Sequence, residues 1–185
     1  GVIVFDAPAR AEGQHSVLRL TTDPMPVVRV GFIGLGMRGP GAVERFTYLD
    51  GVEIKALCDL YPDRVEKSQE ILAGRNLPAA AAYSGEEGWK ELCRRDDIDL
   101  VYICTPWQLH VPMAVYAMEH GKHVAVEVPA AMSLEECWQL VNTAEKTQRH
   151  CMMLENCVYD FFELTTLNMA QHGLFGEKIG RASCR

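Results

Sequence analysis

From Val28 onward the apolar residues keep two alternating rhythms. Short, mainly apolar runs at 28–33, 52–57, 79–83, 100–104, 123–126 and 151–154, of which Leu100–Cys104 is continuous, alternate with longer stretches in which apolar positions recur every three or four residues. An unbroken apolar run bounded by polar or turn residues marks a strand buried on both faces, as strands of a parallel sheet are. The recurring stretches predict helices. Val43, Phe46 and Leu49 give one after the first strand, stopped by Asp50-Gly51, and a polar helix runs from Pro62 to about Leu72, closing at Gly74. Trp89, Leu92 and Cys93 share a face of a helix over 86–94; Val111, Val115 and Met118 do so in a helix that Pro112 opens and Gly121 ends. Ser133 and Glu136 form a capping box ahead of a stripe of Leu134, Cys137, Trp138, Val141 and Ala144, which puts Trp138 in the core. A last helix covers 158–172, with Gly173 as its stop. This alternation is that of an α/β, doubly wound parallel sheet.

Residues 1–26 keep no period and carry Pro8, Gly13, Pro24 and Pro26, so they are expected to form an extended lead-in strapped across the first domain. That domain is assigned to 27–156, and 157–178 to the start of a second domain cut short. The tail 179–185, Ile-Gly-Arg-Ala-Ser-Cys-Arg, has no pattern and is similar to one reading frame of a common sequencing adapter. It is expected to be non-native and to lie outside fold reasoning.

Composition narrows the classes. The 185 residues are 48% hydrophobic and 23% charged, enough for one globular domain and part of another. A net charge of -7 without any basic run excludes a nucleic-acid surface, which needs concentrated lysine and arginine. No apolar run approaches the ~18 residues of a spanning helix, so no membrane partner is expected. The start, Gly1-Val-Ile-Val-Phe, is too short for a signal peptide's apolar region and lacks Met, which leaves the compartment open between cytoplasmic and periplasmic or exported. Seven cysteines without a C-x-x-C pair read as small core hydrophobes, with no zinc site, no disulfide framework and no metal centre expected.

The first strand carries the candidate chemistry. It runs into Gly34, Gly36 and Gly39 at G-x-G-x-x-G spacing, and Pro40 follows where a helix would begin. The first glycine allows the tight turn, the second lets the backbone reach a pyrophosphate, and the third lets helix pack on strand. Unpaired N–H groups at the helix start then face the anion. Asp59, at the end of the second strand and about 20 residues beyond the glycines, can accept hydrogen bonds from both ribose hydroxyls. Its carboxylate would repel a 2′-phosphate, which favours NAD over NADP. At the carboxyl end of the fourth strand, Trp107-Gln108-Leu109-His110 should overhang the cofactor, because ligands bind outside the carboxyl ends of strands in open α/β sheets.

Four stretches together carry a resemblance: Gly-Phe-Ile-Gly-Leu-Gly-Met-Arg-Gly-Pro-Gly (31–41), Cys-Thr-Pro-Trp-Gln-Leu-His (104–110), Glu-Val-Pro-Ala-Ala (127–131) and Met-Leu-Glu-Asn-Cys (153–157). From Val28 to Glu177 the sequence resembles the glucose-fructose oxidoreductase and inositol dehydrogenase superfamily, and within it glycoside hydrolase family 109, the NAD-dependent α-N-acetylgalactosaminidases. The resemblance implies a Rossmann-type domain followed by an α+β substrate domain. It also implies a cofactor cradle in which Met37 and Arg38 line the pyrophosphate turn and Asp59 holds the adenosine ribose. Trp107, Gln108 and His110 would touch the far side of the dinucleotide, and Glu127, Val128 and Asn156 would border the nicotinamide. Read without it, Arg38 is also a plain surface arginine, His110 a satisfied structural histidine and Asn156 a turn former.

Val128 is the informative departure. Sugar dehydrogenases of the superfamily usually have Glu-Lys-Pro there, and an apolar side chain cannot shuttle the lysine's proton. Family 109 resembles this chain in having valine. The implied reaction is removal of α-linked N-acetylgalactosamine by oxidation at sugar carbon three, elimination, water addition and re-reduction, with NAD not consumed. The substrate is then a glycan ending in that sugar, and homo-oligomers are allowed. The catalytic acid and base are expected mostly beyond Arg185, with Tyr159 a secondary candidate whose leading reading is a core tyrosine. Two alternatives remain: an NAD-dependent sugar or polyol dehydrogenase, and a non-catalytic NAD-binding module.

Overall fold

A computed structural model of the chain describes residues 9–176. The predicted ends 1–8 and 177–185, including the expected non-native tail, lie outside the described residues. Six strands form one parallel sheet: β1 (Val28–Ile33), β2 (Val52–Asp59), β3 (Ala81–Ser84), β4 (Leu100–Ile103), β5 (His123–Val126) and β6 (Cys151–Met153), in the order β3-β2-β1-β4-β5-β6. The helices between them are α1 (Gly39–Phe46), α2 (Pro62–Gly74), α3 (Gly88–Cys93), α4 (His110–Glu119) and α5 (Leu134–Thr147). Strand order reverses at β1, whose neighbours are β2 and β4, so the connections that leave the carboxyl ends of β1 and β4 go to opposite faces of the sheet and leave a crevice outside the strand ends.

Two apolar layers sandwich the sheet. Ile33, Val101, Ile103 and Val126 face α3, α4 and α5, while Val30, Phe32, Leu57 and Tyr102 face α1 and α2. Phe32, Phe46 and Tyr102 form an aromatic trio with ring centroids 5.2–5.6 Å apart. Each such pair contributes roughly 0.5–1.5 kcal/mol beyond area burial, and through Phe46 the trio anchors the carboxyl end of α1 to the sheet.

Several expectations are corrected. α5 has its capping box, but the stripe built on Trp138 is not its buried face. Leu134, Cys137 and Val141 are exposed and Trp138 is half-buried; of the expected stripe only Ala144 is buried, and the helix buries Leu140 and Glu145 beside it. The reason lies far away in sequence: Arg10 grips Glu145 with two 2.8 Å hydrogen bonds, and Gln14 adds a third at 2.9 Å. The lead-in thus lies across α5 and makes it favourable to turn a carboxylate inward. Cys137 and Cys157 are exposed, whereas Cys58 and Cys93 are buried in the core. α4 starts at His110, two residues before Pro112, since proline is tolerated within a helix's first turn.

The chain divides into two units after Leu154. In the second, a single 3-10 turn (Asn156–Tyr159) precedes α6 (Phe161–Gln171), so the helix expected from 158 begins three residues later. Among the described residues no helix is long and apolar enough to cross a membrane.

At the amino end of the sheet, His123 Nδ1 accepts the His150 backbone N–H at 3.0 Å. Burial, then the charges of His150 and Arg149, hold His123 below the ordinary imidazole value, against a smaller opposing pull from Asp99. The unfolded chain therefore takes up this proton more readily than the folded one, so the stability His123 contributes is complete above about pH 6.5 and erodes as pH falls towards its folded value. Urea denaturation at pH 8, 6 and 5 should show that loss in the parent. His123→Asn, which retains an acceptor for His150, should flatten it.

Candidate functional site

The carboxyl ends of β1, β2, β4 and β5 meet at the crevice. After β1 the chain turns through Gly34, whose φ is +92° and whose missing Cβ would stand 2.6 Å from the Cys104 carbonyl carbon and 2.8 Å from Thr105 N. Only a residue without a side chain fits there. At Gly39 a Cβ would overlap the Gly34 carbonyl oxygen, so the third glycine lets α1 start directly against the turn. Gly36 is open, with only the tip of Arg64 within 4 Å of where a Cβ would stand. α1 has Pro40 in its first turn and Arg38 as a cap residue that makes no side-chain capping bond, which leaves its leading N–H groups facing the crevice.

Asp59 ends β2 and is buried. Its Oδ2 accepts the Leu35 N–H at 2.6 Å and its Oδ1 the Tyr61 N–H at 3.0 Å. The carboxylate therefore ties the glycine turn to the start of α2. On β4, Tyr102 lies with its ring in the aromatic trio and donates its phenol to Glu127 Oε1 at 3.2 Å. Burial pushes the Tyr102 phenol well above its ordinary value, so it stays protonated and acts as donor. Glu127 follows β5 and is nearly buried; Arg38 Nη2 stands 3.8 Å from its Oε2, across the crevice. Cys104, with its thiol pushed up to about 12 by burial, is an uncharged wall.

The remaining predicted residues take distinct places. Met37 is 93% exposed and Trp107 57% exposed, and Gln108 and Val128 are also exposed. Free apolar surface of this kind on a crevice rim suits a flat ring. His110 is buried instead, its Nδ1 2.7 Å from the Pro129 carbonyl and its Nε2 2.7 Å from that of Thr105. It clamps the loop after β4 to the loop after β5. Asn156 and Tyr159 belong to the second unit, where both are exposed and Glu155 caps their turn by accepting the Cys157 N–H.

Two residues escaped the sequence reading. Thr105 Oγ1, on the strand end that abuts Gly34, is buried without a hydrogen-bond partner among the described residues. Arg64 folds back over the glycine turn, its Nη1 3.4 Å from Asp59 Oδ1. The signals were a threonine leading the Thr-Pro that ends the β4 run, and an arginine one helical turn past a strand-end aspartate. A cradle that a Cβ would fill, free N–H groups with an arginine beside them and an orphaned hydroxyl fit a dinucleotide diphosphate.

Comparison with known proteins bears on this cradle. The model of an oxidoreductase family, NAD-binding Rossmann fold, matches residues 28–155. Over 173 residues the chain is 68% identical to glycosyl hydrolase family 109 protein 1 of Bacteroides fragilis, covering 93% of this chain and 37% of that protein. It is 60% identical to an alpha-N-acetylgalactosaminidase of the same species over 91% of this chain and 40% of that one. The chain thus spans about two-fifths of the length of the curated relatives it matches. Among solved structures, scyllo-inositol dehydrogenase from Lactobacillus casei, determined with NAD(H) and scyllo-inositol, shares the fold with a TM-score of 0.71 at 17% identity, over 82% of this chain and 43% of that one.

Proposed function

The chain belongs to the oxidoreductase family with an NAD-binding Rossmann fold, and from that premise we propose that it is the cofactor-binding part of an NAD-dependent glycosidase that removes α-linked N-acetylgalactosamine from glycans. One observation carries the reading: the 60% identity, over nearly the whole chain, to a protein named for that activity. Bound NAD would accept a hydride from sugar carbon three and return it at the end, which acidifies the proton on carbon two in between and lets the glycosidic group leave.

The chain's own residues hold rather than react. The first turn of α1 and Arg38 neutralise the diphosphate, and Asp59 keeps the glycine turn in the shape that receives it. Tyr102 fixes Glu127 beside the nicotinamide end. Val128, exposed at that end, offers an apolar wall and no proton, which suits a reaction that regenerates its cofactor better than one that releases an oxidised sugar. His110 supports this floor by joining two loops. The acid and base, any homo-oligomer and the sugar pocket itself lie with the remainder of the protein in this reading.

The test uses the intact protein and a nitrophenyl α-N-acetylgalactosaminide. Nitrophenol release without added NAD and without NADH accumulating supports the proposal. Stoichiometric NADH from free sugars or polyols makes the protein a dehydrogenase, and NAD binding with neither activity makes it a non-catalytic module; either outcome overturns it.

A further inference from the structure

Asp59 presents little of itself to the adenosine half of the cofactor, because each of its oxygens already accepts a backbone N–H, from Leu35 and Tyr61, and the residue is 5% exposed. What stands in front of it is Arg64. This residue sits in the first turn of α2, after Pro62, and its side chain reaches back to Asp59 at the end of β2 and to Gly36 in the glycine turn. The guanidinium lies over the Tyr61 ring, its carbon 4.7 Å from the centroid, and reaches within 3.3 Å of where a Cβ on Gly36 would stand. A 3.4 Å contact to Asp59 is its single side-chain hydrogen bond among the described residues, and 42% of the side chain remains open. A guanidinium has five N–H donors and a flat face. One donor is spent here, and the plane is held in place from below by an aromatic ring.

We infer that Arg64 is the residue that receives the adenine ring of the dinucleotide, stacking its flat cation on the base while Asp59 and Tyr61 keep it level. The placement follows from the fold: in a sheet of this order the end of β2 takes the adenosine half, and the second glycine is where backbone approaches the adjoining phosphate. A planar cation over an aromatic face is attracted by the ring's quadrupole, and more strongly where water is excluded. The inference rests on the NAD site alone and stands or falls independently of the glycosidase reading.

Calorimetric titration of the intact protein, stripped of nucleotide, decides it. Arg64→Ala is expected to weaken NAD and ADP-ribose by about tenfold, to the same degree, and to leave nicotinamide mononucleotide unchanged. Arg64→Lys should recover less than half of that loss on a logarithmic scale, since it restores charge without the plane. Melting of both variants without nucleotide should match the parent, which separates lost contact from lost fold. The inference is overturned if Arg64→Ala binds ADP-ribose within twofold of the parent, if lysine restores full affinity, if the mononucleotide weakens equally, or if the variant loses NADP selectively, which would put Arg64 at the ribose 2′ position.

Discussion

Gly39→Ala is expected to unfold the β1–α1 turn and abolish NAD binding, whereas Gly36→Ala is expected to lose nucleotide and keep the fold. The two glycines share a motif but not a surrounding. A methyl on Gly39 overlaps the carbonyl oxygen of Gly34 and comes within 3.4 Å of Leu35 Cδ2. Gly34 has little room to retreat, because its N–H is bonded to Cys58 O at 2.9 Å and the backbone of Cys104 and Thr105 fills the space where its Cβ would stand. Overpacking a site that can shift costs roughly 1–3 kcal/mol, and a backbone-on-backbone overlap belongs at or above the top of that range. For a domain of this size ~3 kcal/mol lowers the melting temperature by about 6–12 °C. A methyl on Gly36 meets only the end of Arg64 at 3.3 Å, a tip that can move, so stability should change by less than ~0.5 kcal/mol. It does, however, fill the space through which backbone reaches the diphosphate, and NAD affinity should fall by an order of magnitude or more. Urea denaturation and calorimetry on the two variants read these effects separately. Parental affinity in Gly36→Ala would mean the diphosphate does not lie against that turn.

This separation explains what the sequence disclosed and what it withheld. The central strands were legible because their apolar residues are buried along most of their length, as in β1, β4 and β5, a property of the residues themselves. The glycine turn was legible because its spacing encodes a local backbone path. The inward face of α5 was not, because Glu145 is buried through a pairing with Arg10, 135 positions away, and a helical stripe says nothing of a partner at that distance. The reading of His110 as a satisfied structural histidine needed no motif, but its partners were hidden: its ring is held by the carbonyls of Thr105, five positions before it, and of Pro129, nineteen after it. Arg64 was missed because a polar helix start gives no periodic signal, and only the path of its side chain back over Gly36 sets it apart from Lys67 on the same helix. Spacing singled out Asp59 as the expected ribose acceptor, and could not reveal that its carboxylate also braces the turn.

That double duty predicts the behaviour of Asp59→Asn. An aspartate that touched only ribose hydroxyls would, when amidated, leave the nucleotide-free protein as stable as before. Here the carboxylate accepts Leu35 N–H at 2.6 Å and Tyr61 N–H at 3.0 Å from opposite oxygens. Asparagine offers one acceptor and turns its NH2 towards the other donor, so one buried N–H loses its partner and the surviving bond loses its charge. Hydrogen bonds to charged groups contribute about 1.5–3 kcal/mol, and an unsatisfied buried donor costs about 1–3 kcal/mol, so the variant should lose about 2–4 kcal/mol before any nucleotide is added. Saturating NAD at 100 times its dissociation constant should add about 2.7 kcal/mol to the parent. The same concentration should add far less to the variant, since the turn that receives the diphosphate is no longer anchored to β2. Denaturation curves for both proteins, with and without NAD, carry both readouts. A variant as stable as the parent without nucleotide would remove the brace from Asp59 and return it to ribose recognition alone, and with it the reason Arg64 has to face the adenine.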